Sequence, residues 1–304
     1  MATPPSALAP RRPFGAVLTA MVTPFALDGS VDLDAAAALA VHLVEHGHDG
    51  LVVNGTTGES PTTTDAEKAA LVRVVVEAVA ERAHVLAGVG TNDTAHSCEL
   101  ARQAEQAGAG GLLVVTPYYS KPSQAGLALH FTTVAGACDL PVMLYDIPGR
   151  SAVPIHTQTL VEVSAHPNIV AVKDAKDDLF AASEVAVATD LAWYSGTDEL
   201  NLAHLTHGAA GMVSVVGHLA GPRLAALVRA VDQADLVTAL EVHRSMLPLT
   251  RAVMKVTQGV VMVKAGLESG GLLARRSVRL PLVQATVDEV ELLRAVLDAA
   301  PLDA

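Results

Sequence analysis

The 304 residues predict an α/β fold, a (β/α)8 barrel followed by a helical C-terminal extension. Three observations carry that expectation. Hydrophobic residues make up 51% of the chain and charged ones 17%, the balance of a globular protein whose strands are covered on both faces. Short Val/Leu/Ile-rich runs without polar alternation recur at spacings of roughly twenty to thirty-five residues, separated by segments of helical period. After the eighth run the pattern turns to helix only. A doubly wound open sheet is the other architecture that such repeats allow, and the closed barrel is the simpler one.

The strands are expected at Gly15–Val22, Gly50–Val53, His84–Val89, Gly111–Val115, Pro141–Tyr145, Ile169–Lys173, Ala192–Ser195 and Gly211–Val215. Between them the helices carry start and stop signals. Asp32 stands ahead of an Ala/Leu run, and Thr64 with Glu67 three residues on is a capping box. Gly47 and Gly108 sit where a helix C′ position needs positive φ. Beyond Pro222, helices are expected at Arg223–Val231, Leu236–Val256, Val260–Glu268 and Val287–Leu297. The chain therefore divides into a loose tail (1–13), the barrel (14–221) and a helical extension (222–304).

A net charge of −12 provides no footprint for phosphate backbones or anionic lipid, so nucleic acid and membrane are disfavoured as partners and small molecules favoured. Cys98 and Cys138 are the only cysteines, with no CxxC pair, which fits a reducing cytoplasm. The first dozen residues lack the apolar core of a signal peptide. No run approaches the eighteen or so apolar residues of a membrane span. His42, His46 and His48 lack an HExxH pattern or a nearby third ligand, so no metal is expected. No GxGxxG follows the first strand, so dinucleotide binding is disfavoured as well.

In such a barrel, chemistry collects at the C-terminal ends of the strands. Lys173 ends an apolar run, where desolvation would leave part of its amine neutral and able to attack a carbonyl carbon. A lysine that merely extends its charge to solvent is the plainer reading of that residue taken alone. After strand two comes Gly55-Thr56-Thr57-Gly58-Glu59-Ser60, whose hydroxyls and backbone N–H groups suit a carboxylate. It lacks the lysine of a P-loop, and a simple helix-capping turn is equally compatible with it. After strand four comes Thr116-Pro117-Tyr118-Tyr119, and strand five runs into Tyr145-Asp146-Ile147-Pro148-Gly149-Arg150. A phenol is a proton carrier and an arginine fork clamps a carboxylate. Strand seven leads into Ser195-Gly196-Thr197-Asp198-Glu199 and strand eight into Gly211-Met212-Val213-Ser214, whose glycines let backbone approach a ligand closely, as tight turns equally require.

With GTTGES at 55–60, TPYY at 116–119, YDIPGR at 145–150, VKDA at 172–175 and RLPL at 279–282, the chain resembles the dihydrodipicolinate synthase family of pyruvate-dependent class I aldolases. The resemblance spans about Gly15 to Leu282. It implies a cytoplasmic homotetramer, a dimer of dimers, that condenses pyruvate with L-aspartate 4-semialdehyde in diaminopimelate and lysine biosynthesis without metal or organic cofactor. Lys173 would form the imine and the Thr56-Thr57 turn would hold the pyruvate carboxylate. Tyr145 would relay protons in a triad with Thr56 and a Tyr119 from the neighbouring subunit. Arg150 would receive the semialdehyde carboxylate, the Val213 carbonyl would face the substrate, and Gly196 would make a backbone contact near the aldehyde.

Two departures stand out. Thr197 occupies a position where the family commonly has Asp, which keeps open a sibling aldolase acting on another aldehyde or keto acid. A non-catalytic keto-acid-binding barrel is the further alternative. Lysine-sensitive relatives use polar residues near Ser60, Asn92 and Tyr118, and often carry His, His and Glu where this chain has Asp65, Lys68 and His96. Loss of an acceptor at His96 and added like charge at Lys68 imply weak or absent feedback by lysine.

Overall fold

The computed structural model describes residues 10–299. Its strands are β1 (Val17–Ala20), β2 (Gly50–Val53), β3 (His84–Gly88), β4 (Gly111–Val115), β5 (Val142–Asp146), β6 (Ile169–Asp174), β7 (Ala192–Ser195) and β8 (Gly211–Ser214). They pair in parallel in sequence order, and β8 returns to β1 through Val17↔Met212, Leu18↔Val213 and Thr19↔Ser214. That last pairing closes a TIM-type barrel and excludes the open sheet. The helices are α1 (Leu33–Glu45), α2 (Asp65–Val79), α3 (Thr94–Gln106), α4 (Gln124–Ala135), α5 (Pro148–Ser151), α6 (Thr157–Val163), α7 (Leu179–Ala188), α8 (Asn201–Thr206), α9 (Gly217–Asp232), α10 (Leu236–Met254), α11 (Gly259–Ser269) and α12 (Val287–Ala299).

Strand alternation sorts the apolar residues into two cores. Leu18, Val52, Leu86, Leu113, Met143 and Ala171 fill the barrel interior. Their neighbours Val17, Leu51, Val85 and Leu112 face outward and pack with the helices. Phe14 plugs the N-terminal end, where the Tyr194 hydroxyl donates to Gly15 O at 3.0 Å and accepts from Phe14 N. The interior is thus filled at that end, and the openings at the C-terminal mouth lie above it.

The local signals act as expected. The Asp32 carboxylate accepts from Ala35 N, Thr64 and Glu67 cap reciprocally, and Gly47 and Gly108 adopt φ of +89° and +90°. β1 starts later than expected because the Asp49 carboxylate takes the N–H groups of Ala16 and Val17 at 2.8 and 2.9 Å, and it ends at Ala20, with Val22 N donating to His218 Nε2 at 3.0 Å. The last barrel helix starts at Gly217, ahead of the expected Arg223, and kinks at Ala220. Pro222 has no N–H for the carbonyl of His218, four residues back, so the helix bends rather than starts at the proline. Within 1–13, residues 1–9 lie outside the described residues, while the Arg12 guanidinium donates to Ala210 O and to the Asp232 carboxylate at 2.7 and 2.8 Å.

α10 packs on α9, and α12 packs on α10 and α11. Val263 of α11 and Leu293 of α12 belong to the same apolar cluster as the outer face of the barrel. The N-terminal end of α11 reaches over the barrel mouth, which places it at the site. No helix among the described residues is long and apolar enough to cross a membrane.

Candidate active site

On β6 the alternation turns Ala171 and Lys173 inward and Val172 outward. Lys173 lies in register with Tyr145 of β5 and Tyr194 of β7. It is 4% exposed, and its Nζ stands 4.0 Å from the centroid of the Tyr145 ring. Burial lowers its pKa to about 7, the Asp198 carboxylate partly opposing that fall and the Arg150 charge adding to it. Near neutrality a large share of the amine is therefore unprotonated and nucleophilic. Burial likewise holds the Tyr145 phenol above its usual pKa, with Arg150 opposing. The phenol is thus a proton donor at neutral pH, and a partner is needed to make it an acceptor.

Two connected openings meet at these residues. One, about 270 Å3, is lined by Thr56, Thr57, Tyr145, Arg150, Lys173 and Gly196, with Gly259 and Val260 of α11 as its far wall. The other, about 380 Å3, shares Thr56, Tyr145 and Arg150 and extends to Tyr118 and Tyr119. Arg150 stands on α5, exposed, with Nη2 3.4 Å from Gln258 Oε1. Tyr119 is 89% exposed and held at φ 74°, a strained region for a side chain other than glycine. Gly196 passes so close beneath Lys173 that an added Cβ would lie 2.8 Å from Asp174 O and 3.1 Å from Lys173 Cε. The Val213 side chain packs into the barrel interior, and Val215, two residues on, lines the opening instead. Thr197 follows Gly196 with its backbone tied to the Ser195 hydroxyl.

The sequence-derived set thus converges on one mouth, with Val213 beneath it and Tyr119 at its edge. Three groups were missed. Asp198, buried, accepts from the Ser214 hydroxyl, from Val215 N at 2.8 Å, from Val216 N at 3.0 Å and from Asn201 Nδ2, fixing the loop between β8 and α9. Its signal was an acid two residues past the Gly196 turn. One residue beyond Tyr145, Asp146 turns outward, and burial pushes its pKa up to about 7 against the pull of Lys176, 3.6 Å away. Nothing in the motif betrayed that burial. The third is a buried ion pair between Glu59 and Lys264; a lone lysine within the apolar run of α11 was its signal.

The Lys68 ammonium, one of the positions tied to lysine feedback, donates to Thr63 O at 2.5 Å and stands 3.9 Å from Asp65. Asp65 also pairs with His96 Nε2 at 3.0 Å. Among the described residues no group of three or more His, Cys, Asp or Glu is arranged to hold a metal ion.

Residues 13–300 match the model of the dihydrodipicolinate synthetase family. The 4-hydroxy-tetrahydrodipicolinate synthase of Kineococcus radiotolerans is 64% identical over 98% of this chain and 99% of its own. A 4-hydroxy-tetrahydrodipicolinate synthase of Streptomyces coelicolor is 60% identical over 95% of this chain and 96% of its own. Among solved structures, a lysine-bound dihydrodipicolinate synthase from Cyanidioschyzon merolae superposes with a TM-score of 0.93 at 40% identity, covering 96% of this chain and all of that one. With the fold, the motifs and the lysine-bearing mouth in place, the chain belongs to the dihydrodipicolinate synthetase family.

Proposed function

We propose that this protein condenses pyruvate with L-aspartate 4-semialdehyde to give 4-hydroxy-tetrahydrodipicolinate, on the route to diaminopimelate and lysine. The observation that carries the reading is the buried Lys173 amine, its pKa lowered to about 7, at the mouth of the barrel. Neutral Nζ attacks C2 of pyruvate and water leaves, forming a protonated imine. That nitrogen accepts the electrons released when the adjacent methyl loses a proton, so an enamine forms. The enamine carbon attacks the aldehyde carbon of the second substrate. The amino group of that substrate then adds to the imine carbon, closing the ring and releasing Lys173, with one water lost overall.

Tyr145, whose ring centroid lies 4.0 Å from Nζ, is the proton carrier in this scheme, with Thr56 and Tyr119 of a neighbouring copy completing its relay. Thr57 holds the pyruvate carboxylate beside Thr56, Arg150 clamps the carboxylate of the semialdehyde, and Gly196 and the Val213 carbonyl supply backbone contacts. A Tyr119 ring so exposed on so strained a backbone supports insertion into a second copy, so the working unit is at least a dimer and in this family's manner a tetramer. The test is kcat/KM for pyruvate with the semialdehyde against a panel of other aldehydes and 2-keto acids. Preference for another acceptor makes the chain a sibling aldolase, and binding without turnover makes it a keto-acid-binding barrel.

A further inference from the structure

Glu59, next to last in the Gly55–Ser60 turn, has φ 56° and ψ 36°, a left-handed conformation that few residues other than glycine adopt. Its side chain is only 1% exposed. The groups that meet it come from far along the chain. Oε1 accepts from Lys264 Nζ at 2.5 Å, and Oε2 accepts from Arg279 N at 2.8 Å. Lys264, fully buried on α11, also donates to Ser277 O at 2.7 Å, and its Nζ lies 4.3 Å from the centre of the Phe25 ring. The Arg279 guanidinium covers the same ring and donates to Gly29 O, Thr62 O and the Glu67 carboxylate. On the other side of the turn, the Thr23 hydroxyl donates to Gly58 O at 2.6 Å.

An ion pair this deeply buried is seldom a better glue than two apolar side chains of the same size, because both charges lose their hydration. Here the pair has a second consequence. Glu59 lines the same opening as Thr56, Thr57 and Lys173, so without a counter-charge its carboxylate would stand beside the place where an anionic substrate must bind. We propose that Lys264 is a positioning residue for pyruvate: through Glu59 it fixes the Thr56–Thr57 turn and cancels the charge that would repel the substrate carboxylate. The C-terminal helices thereby form part of the acid-binding apparatus. The inference rests on the reading of that turn as the pyruvate carboxylate site.

The experiment compares Lys264→Met, Glu59→Asp and the double variant Glu59→Gln/Lys264→Met with wild type. Steady-state kinetics in pyruvate are run beside borohydride trapping of pyruvate on Lys173 across a pyruvate series. In Lys264→Met the KM for pyruvate and the half-saturation of trapping rise about tenfold or more, while kcat at saturating pyruvate stays within about threefold. The double variant, with no uncompensated charge, recovers part of that loss. Glu59→Asp keeps the charge but draws the carboxylate back by one methylene, so its KM rises in the same direction; it carries the test should Lys264→Met fail to fold. Unchanged KM in the variants, or a fall in kcat at constant KM, overturns the proposal. Wild type that is not trapped by pyruvate at all overturns the reading of the site, and this inference with it.

Discussion

Replacing Lys173 by methionine is expected to abolish turnover and to stabilise the fold in the same stroke. Methionine keeps the length of the side chain and removes the amine that burial disfavours. A pKa lowered from 10.5 to about 7 corresponds, at about 1.36 kcal/mol per tenfold change, to an upper bound of roughly 5 kcal/mol on the cost of holding the charged amine there. Even ~1.5 kcal/mol of relief raises Tm by roughly 2–3 °C in a chain of this size. Between pH 7 and 10.5 the folded wild type binds fewer protons at this site than the unfolded chain, so wild-type stability rises with pH across that window. The Tm advantage of Lys173→Met is therefore largest near and below pH 7 and closes as pH approaches 10.5. Scanning calorimetry of both proteins at several pH values measures it, beside the coupled assay. A variant less stable than wild type at pH 7, or a gap that does not change with pH, refutes the claim that Lys173 is held in a site hostile to its charge.

Gly196→Ala would set a methyl 2.8 Å from Asp174 O and 3.1 Å from Lys173 Cε; displacing the amine by a fraction of an ångström is expected to lower kcat/KM about 100-fold in the coupled assay, with a stability loss of roughly 1–3 kcal/mol in urea titration. Tyr119→Ala is expected to lose most of its activity, and mixing it with inactive Lys173→Met under conditions that exchange subunits should restore part of it, because one mixed site then holds both wild-type residues; mixtures as dead as their parents count against a shared site. Because Lys68 turns to Thr63 O and His96 to Asp65, L-lysine is expected to inhibit weakly or not at all, and a cooperative micromolar inhibition curve contradicts this. The pH profile of kcat/KM for pyruvate should fall tenfold per pH unit on the acid side of about 7, following the neutral fraction of Lys173, and a limb inflecting near 10 counts against it.

The parts of the structure that depend on neighbours in sequence were legible before any coordinate. The cap at Asp32, the reciprocal pair at Thr64 and Glu67, and the positive φ at Gly47 and Gly108 each involve residues a turn apart, so their chemistry is written locally. The inward set was legible as well, since a period of two fixes that Lys173 and Tyr145 share the face opposite Val172 and Leu144. What could not be read depends on partners brought together only by closure. Lys264 and Glu59 are 205 residues apart, and each looked like an ordinary helix lysine and an ordinary motif acid. Asp49, just ahead of β2, set where β1 begins, and Asp198 took four donors from Asn201 at the start of α8 and from Ser214, Val215 and Val216 at the end of β8. The position of α9 was missed because Pro222 suggested a start, whereas the helix runs through it with a kink at Ala220.

Borohydride reduction of the protein in the presence of pyruvate, followed by mass mapping of the peptides, shows whether Lys173 carries the imine. One reduced pyruvate adduct per chain is expected, located on Lys173 and formed with a rate that rises with pH through about 7. An adduct on Lys176, Lys264 or any other lysine, or none at all, would contradict it.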